Sequence, residues 1–177
     1  MFEDYLQDSY EFFSLAEVEA QQCHEREAKR YFRASVFYAS GAIESFINYI
    51  AASFALAGNI EKHEICFIND KSLIFTVKSG LIEKNEYHSI EDKIRLILRR
   101  FASSYDFGCL PWCKFIEFKR FRDSLVHPHE LDDEIDLSQY HKKVSSGLKA
   151  TIEIMNSISL AVSHEPLRKQ LLDLIPE

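Results

Sequence analysis

The chain has 177 residues and a formal net charge of −7, with 46% hydrophobic, 13% aromatic and 28% charged residues. This length suits one compact domain, so we expect a single domain over residues 1–177. The composition is that of a globular protein and excludes a disordered tail. Only five Gly and four Pro are present. A β-sandwich or barrel needs more turn residues than that, so an all-α fold is favoured.

The charge balance and the first residues restrict partners and location. The acidic excess argues against a general nucleic-acid coat, because non-specific phosphate binding depends on Lys and Arg. The start, Met1–Asp4, is acidic where a secretory peptide needs a basic region. The longest near-apolar stretch, 46–58, is too short to span a bilayer, and four cysteines are too few for a disulfide framework. We therefore expect a cytoplasmic protein with no membrane and no DNA partner.

Two helices are predicted in the first third of the chain. A first helix over about residues 3–24 is indicated by apolar residues seven positions apart, which are Leu6, Phe13 and Ala20. The second helix has an apolar stripe with steps of three and four, formed by Phe32, Val36, Ala39, Ile43, Phe46, Ile50 and Phe54. Gly58 and Asn59 end it, since both tolerate the left-handed conformation. Nothing in 23–28 breaks the chain, so the two helices are predicted to be nearly continuous.

The middle of the chain has a weaker pattern. Residues 72–81 are predicted to form a short helix, although Ile74–Val77 has a composition typical of a strand. Ser89 and Asp92 resemble a capping box, with Asp in place of the usual Glu or Gln. The helix that follows should turn one side inward, namely Ile90, Ile94, Ile97 and Phe101.

Two long helices are predicted in the last part. After a loop over 106–111, residues 112–126 form a helix that Pro128 ends, because the residue before proline avoids the helical region. Its inward residues are Phe115, Phe118, Phe121 and Leu125. Asp136 with Gln139 caps a last long helix, which Pro166 closes before a short C-terminal helix. Four or five long amphipathic helices plus short ones predict an up-and-down helical bundle.

Basic residues are concentrated in one stretch. Residues 93–127 contain three acids and eight basic side chains, which are Lys93, Arg95, Arg99, Arg100, Lys114, Lys119, Arg120 and Arg122. The remainder of the chain is strongly acidic. One interpretation is a local site for an anionic partner, and the other is two solvated helix faces.

Within this stretch, Phe118–Pro128 contains an Arg-x4-His pattern near a helix end. Arg122 is followed directly by Asp123, and four residues separate Arg122 from His127. On these residues the chain resembles the HEPN superfamily of small helical bundles. The signature of that superfamily is an Arg, four to six residues and a His, with Asn, Asp or His just after the Arg.

The order of the flanking segments agrees with this resemblance, which covers most of the chain in outline. A long early helix contains Tyr38–Asn48, and Ser89–Ile94 precedes the motif helix. The resemblance implies a metal-independent endoribonuclease of toxin or defence type that acts as a homodimer, with an antitoxin protein as a further partner. Toxins paired with nucleotidyltransferase antitoxins often carry Tyr two residues after the His. Here His129 stands at that position, which disfavours that partner.

The residue types at the motif suit RNA cleavage. The imidazole of His127 can take a proton from a ribose 2′-hydroxyl and give one to the leaving 5′-oxygen. The guanidinium of Arg122 can hold the extra charge of the phosphorane. Asp123 lies four residues before His127 and can orient its ring. As the resemblance implies, the products would be a 2′,3′-cyclic phosphate and a 5′-hydroxyl.

Helix geometry restricts how the motif can work. Five residues place Arg122 and His127 about 140° apart on an ideal helix. They converge only if His127 leaves the helix or if a second subunit brings its own copy, and the HEPN resemblance implies the second solution. The alternative is a structural role, in which Asp123 pairs with His127 or Lys119 and Arg122 caps carbonyl groups.

Further residues are candidates for substrate binding. Glu44 lies on a polar strip with Ser40 and Asn48 and could pair with Arg122 or Arg120; otherwise the strip is merely solvated. The basic candidates are Lys119, Arg120, Arg99 and Arg100. Neighbouring aromatic residues suit stacking on RNA but are also typical of a core, namely Phe101, Tyr105, Phe107, Trp112 and Phe115.

Metal binding is not expected. Cys109 and Cys113 could be combined with His63 and Cys66 as zinc ligands, but the two pairs are remote in sequence, and Cys is commonly a small buried residue. We therefore predict no metal and no cofactor. The alternatives to the nuclease are a non-catalytic binding or assembly module of the same fold, and a purely structural helical oligomer.

Overall fold

The computed structural model describes residues 1–58, 60–127 and 135–176. Helices account for 71% of the structure, which confirms the predicted all-α helical bundle. The helices are α1 (Phe2–Gln21), α2 (Glu25–Ala57), α3 (Lys62–Ile68), α4 (Ile90–Phe101), α5 (Leu110–Val126), α6 (Leu137–Ser163) and α7 (Lys169–Leu172), and the strands are β1 (Lys71–Thr76) and β2 (Gly80–Asn85). Among the residues described, no helix is both long enough and apolar enough to cross a bilayer.

The chain packs as two compact units. One, which we call the motif unit, comprises Met1–Ile43 and Asp106–Glu177 and contains α1, the first part of α2, α5, α6 and α7. The other, the hairpin unit, comprises Glu44–Tyr105 and contains the rest of α2, α3, the two strands and α4. The single domain over 1–177 stays a prediction.

Helices α1 and α2 are separated by a sharp break, so the prediction that they are nearly continuous is wrong. Cys23 takes a left-handed conformation with φ 62°. The backbone N–H of His24 donates to the carbonyl of Glu19 at 3.0 Å, and that of Cys23 donates to Ala20 at 3.1 Å. These two bonds satisfy the last carbonyls of α1 and reverse the chain. The motif usually requires glycine, and a cysteine in this position carries no sequence signal.

Residues 72–81 form most of a β-hairpin rather than the short helix predicted from the sequence. Strands β1 and β2 pair antiparallel, with Ile74 opposite Ile82 and Phe75 opposite Leu81. Gly80 closes the turn with φ 68°. The β-branched and aromatic side chains of β1 pair across the hairpin, which the helical interpretation had to ignore. Helix α3, which was not predicted, begins with a capping box in which the Glu64 carboxylate accepts the N–H of Glu61 at 3.0 Å.

The predicted helix starts of α4 and α6 are confirmed. The hydroxyl of Ser89 accepts the backbone N–H of Asp92 at 3.2 Å, and the carboxylate of Asp136 accepts that of Gln139 at 2.8 Å. Each bond satisfies one of the amide groups that a helix start leaves without a partner. Helix α6 ends at a left-handed His164, and the short C-terminal helix is α7.

The core of the motif unit is built from the predicted apolar stripes. Its buried residues come from α1, α2, α5 and α6, and they include Phe13, Phe32, Val36, Phe118, Phe121, Tyr140, Val144 and Leu148. Leu125, the last of the predicted inward residues of α5, is partly buried against the same cluster. The buried hydroxyl of Ser9 donates to the carbonyl of Ser35 at 2.8 Å and links α1 to α2.

Helices α5 and α6 approach each other closely at Gly147. A Cβ atom built on Gly147 would lie 1.9 Å from Cδ2 of Phe118. The ring of Phe118 therefore occupies the space that any other residue at position 147 would fill. This contact requires glycine for its size, since the backbone at Gly147 is ordinary helix.

We expect Gly147→Ala to destabilise the protein by about 1–3 kcal/mol, because the buried Phe118 ring must shift to admit one methyl group. The matched control is Gly41→Ala, where the new Cβ would meet Tyr5 at an ordinary 3.5 Å. That variant should be neutral or more stable by up to about 1 kcal/mol, since alanine favours a helix over glycine. Urea unfolding of both variants measures the difference, and equal stabilities would contradict the close contact.

Candidate functional site

The predicted Arg-x4-His motif lies at the C-terminal end of α5. The helix continues to Val126, and His127 is its C-cap with φ −122° and ψ 70°. The backbone N–H of His127 still donates to the carbonyl of Asp123 at 3.0 Å. Its side chain is exposed. Pro128, the predicted end of the helix, and His129, two positions after the motif histidine, lie outside the described residues.

Arg122, Asp123 and Lys119 form a charged cluster on this last part of α5. Nη1 of Arg122 lies 3.1 Å from Oδ1 of Asp123, and Nζ of Lys119 lies 3.5 Å from Oδ2 of the same carboxylate. The side chains of Arg122 and Lys119 are each 27% exposed, so both remain reachable from solvent. Pairing of Asp123 with Lys119 was the structural alternative, and that contact is present. Orientation of the imidazole by Asp123 stays a prediction.

The two motif residues begin on different sides of α5. Because the helical hydrogen bond at His127 is intact, the Cα of His127 keeps the position that the helix dictates, about 140° from Arg122. Positions 120, 124 and 127 are spaced by four and three, so Arg120, Ser124 and His127 share one face. Arg122 lies on another face with Lys119.

A groove of about 380 Å³ lies between α5 and α6. We call it the α5–α6 groove, and it is lined by Lys114, Glu117, Phe118, Arg120, Phe121, Ser124, Ile135, Lys143 and Ser146. Arg120, a predicted substrate-binding residue, is part of it, whereas Lys119 pairs with Asp123 instead. Lys143 was not among the residues predicted from the sequence. The adjacent pair Lys142-Lys143 on a helix next to the motif was the signal that could have identified it.

The other substrate-binding candidates belong to the hairpin unit. Glu44 lines a small cavity of about 120 Å³ together with Asp70, His88 and Lys93. Arg99 and Arg100 are exposed on α4, and Nε of Arg100 lies 3.9 Å from a carboxylate oxygen of Glu64. The pairing of Glu44 with Arg122 or Arg120, and RNA binding by Arg99 and Arg100, stay predictions.

The small cavity of the hairpin unit contains an ion pair between the buried Lys93 and the partly exposed Asp70. Nζ of Lys93 donates to Oδ2 of Asp70 at 2.7 Å, and the backbone N–H of His88 donates to Oδ1 at 2.8 Å. Burial alone would raise the pKa of the Asp70 carboxyl, but the two hydrogen bonds and the charge of Lys93 outweigh it and keep that pKa below its usual value. Lys93 is only 7% exposed. It joins the hairpin to α4 and is therefore not one of the surface charges of the basic stretch.

The aromatic residues near the motif mostly form core contacts. Trp112 and Phe115 are each 2% exposed, and Phe101 stacks on Phe54 with ring centroids 4.8 Å apart. The prediction that RNA bases stack on Trp112 or Phe115 is therefore wrong, because the faces of both rings are covered by the protein.

The residues considered for zinc do not assemble into a described metal site. Cys66 is buried, and Cys23, Cys66, Cys109 and Cys113 are all free thiols. Within the described ranges, no group of three or more His, Cys, Asp or Glu side chains could hold a metal ion.

Comparisons with models of protein families, with curated proteins and with solved structures found no match. The HEPN resemblance therefore rests on the residues of this chain alone.

We expect Asp70→Asn to cost about 1–3 kcal/mol of stability at pH 7, because the buried ammonium of Lys93 loses its carboxylate. The pKa of Asp70 is lower in the folded protein than its usual value. The ion pair therefore stabilises the native protein fully at pH values above the pKa that Asp70 has in the unfolded chain. This stabilisation shrinks as pH falls below about 4 and the carboxyl becomes protonated. Urea unfolding at pH 7 and pH 3 tests this, with the exposed Asp173→Asn as control. A cost that does not change between the two pH values would contradict the ion pair.

Proposed function

We propose that the protein is a HEPN-like, metal-independent endoribonuclease of toxin or defence type, acting as a homodimer. The observation that supports this most is the exposure of both motif side chains. His127 is exposed at the end of α5, and Arg122, five positions earlier, is partly accessible. Neither group is enclosed in the apolar core, as a purely packing role would require.

The proposed reaction uses only protein side chains. His127 removes the proton of a ribose 2′-hydroxyl, whose oxygen then attacks the adjacent phosphorus. The bond from phosphorus to the 5′-oxygen breaks, and that oxygen takes a proton from an imidazolium. The products are a 2′,3′-cyclic phosphate and a 5′-hydroxyl. Arg122 stabilises the charge that develops on the phosphorane oxygens, and Asp123 keeps the guanidinium in place through the 3.1 Å contact.

A second copy of the chain completes the proposed site. Arg122 and His127 start about 140° apart on α5, so one chain does not present both to the same phosphate directly. A twofold interface can bring both side chains to one phosphate, because the Arg122 of one subunit can face the His127 of the other. An antitoxin protein that covers this surface belongs to the same proposal.

The alternative function is a non-catalytic HEPN-like binding or assembly module. The contacts of Asp123 favour it, since its carboxylate is engaged by Arg122 and Lys119. In that case the cluster stabilises the last turn of α5 and carries no chemistry. RNA cleavage separates the two functions.

We expect the purified protein to cleave single-stranded RNA in the presence of EDTA, and His127→Ala to reduce the rate by about 10²–10⁴-fold. The matched control is His63→Ala, which removes an exposed helical imidazole from the hairpin unit. It should retain full activity. Thermal unfolding midpoints should be the same in all three proteins.

Two results would count against the nuclease. One is cleavage that EDTA abolishes. The other is equal activity of His63→Ala and His127→Ala, which would identify a contaminating enzyme. If His127→Ala unfolds, the conservative His127→Gln keeps the test decisive, because it retains the size and polarity of the side chain without its titration.

A composite site makes activity depend on association. The rate per subunit should rise with protein concentration and become constant where sedimentation shows the dimer to be complete. The reason is that a monomer holds Arg122 and His127 on different faces. A constant rate per subunit across a concentration range in which the protein is entirely monomeric would contradict the composite site.

A further inference from the structure

The described lining residues of the α5–α6 groove carry excess positive charge. Arg120 projects from α5 and Lys143 from α6, and both are exposed. In the described part of the chain, no acidic side chain pairs with either of them. The single described acid of the groove, Glu117, is engaged by Lys114 at 2.7 Å. These described residues therefore favour an anion, although the chain as a whole has a net charge of −7.

Beneath these charges the groove is apolar and preformed. Phe118 and Phe121 form its floor and are 4% and 5% exposed. The close approach at Gly147 locks Phe118 in place, and Nζ of Lys143 lies 5.0 Å from the centroid of the Phe121 ring. This cation–π contact holds the ammonium above the floor. The volume of about 380 Å³ falls in the range of small-ligand sites.

These features fit one nucleotide unit of a strand. The cations suit a phosphate, and the apolar floor with the hydroxyls of Ser124 and Ser146 suits a sugar and base edge. The groove lies on the same side of α5 as the motif histidine. Arg120, Ser124 and His127 share one face of α5, and His127 lies seven positions after Arg120, about 10 Å along the helix. A strand that lies along this face reaches the imidazole.

We propose that the α5–α6 groove binds the phosphate backbone of single-stranded RNA and leads it to His127, with Arg120 and Lys143 as positioning residues. This inference rests on the proposed nuclease function for its substrate. It adds a binding surface outside the Arg-x4-His motif, on the face of α5 that Arg122 does not occupy.

The test compares Lys143→Glu with Lys142→Glu. Both variants reverse one charge at neighbouring exposed positions of α6, and only Lys143 lines the groove. Each is made in the inactive His127→Ala background so that binding is measured without cleavage. The probe is a short fluorescent single-stranded RNA, followed by anisotropy over a series of salt concentrations. Thermal midpoints check that both variants are folded.

We expect Lys143→Glu to weaken RNA binding by about tenfold or more and to reduce the salt slope of log affinity by about 1. Lys142→Glu should change both much less. Arg120→Glu should reproduce Lys143→Glu. Equal effects of Lys143→Glu and Lys142→Glu would contradict RNA binding in the groove, because they would reflect only the change in net charge.

Two further comparisons distinguish a failure of the proposed groove from a failure of the proposed nuclease activity. For cleavage, Lys143→Glu and Lys142→Glu are also made with His127 intact. If they cleave RNA equally well, RNA binding in the groove is contradicted and the nuclease is not. If no RNA is cleaved but only Lys143→Glu loses RNA binding, the proposed nuclease activity is contradicted and RNA binding in the groove is supported. Adenosine monophosphate is added as a competitor to test whether the groove binds a strand or a single nucleotide. Displacement of the RNA by the mononucleotide at similar concentration would contradict binding of a strand.

Discussion

The contact of Phe118 with Gly147 is the constraint on which the motif unit depends. It brings α5 and α6 so close that the ring of one helix lies against the backbone of the other. This contact sets the rotation of α5 about its own axis, with Phe121 and Leu125 facing the core. Once that rotation is set, the directions of the remaining residues follow. Arg120 lines the groove, while Arg122 and Lys119 lie together around Asp123 on another face.

The charged residues of the basic stretch consequently have different roles, although they are close in sequence. Lys93 is buried in the hairpin unit and pairs with the partly exposed Asp70, so its role is structural. Lys119 and Arg122 share one carboxylate at the end of α5. Arg120 lines a groove with Lys143, a residue outside the stretch. A count of charges along the chain cannot separate these roles, because those of Lys93 and Arg120 depend on which element packs opposite.

The sequence predicted the long helices well and failed where local signals were weak or conflicting. The stripe of α2 and the caps at Ser89 and Asp136 are strong local signals, and the structure has all three. The hairpin was missed because its strands are short and only partly buried, so the alternation of polar and apolar residues is poor. The break at Cys23 was missed because a left-handed cysteine is held by two backbone hydrogen bonds, to which its side chain contributes nothing.

The sequence by itself determined the helical class, the helix caps and the position of Arg122 and His127 at the end of a helix before Pro128. These follow from spacing and from backbone chemistry within a few residues. Only the tertiary structure decided which charges meet, because residues from distant parts of the chain must first be brought together. The burial of Lys93 beside Asp70 and the groove shared by Arg120 and Lys143 each join different elements, whereas Asp123 meets Lys119 and Arg122 within one helix. Two helices pack where the side chains of one fit the surface of the other, and here Gly147 leaves the space that the Phe118 ring occupies.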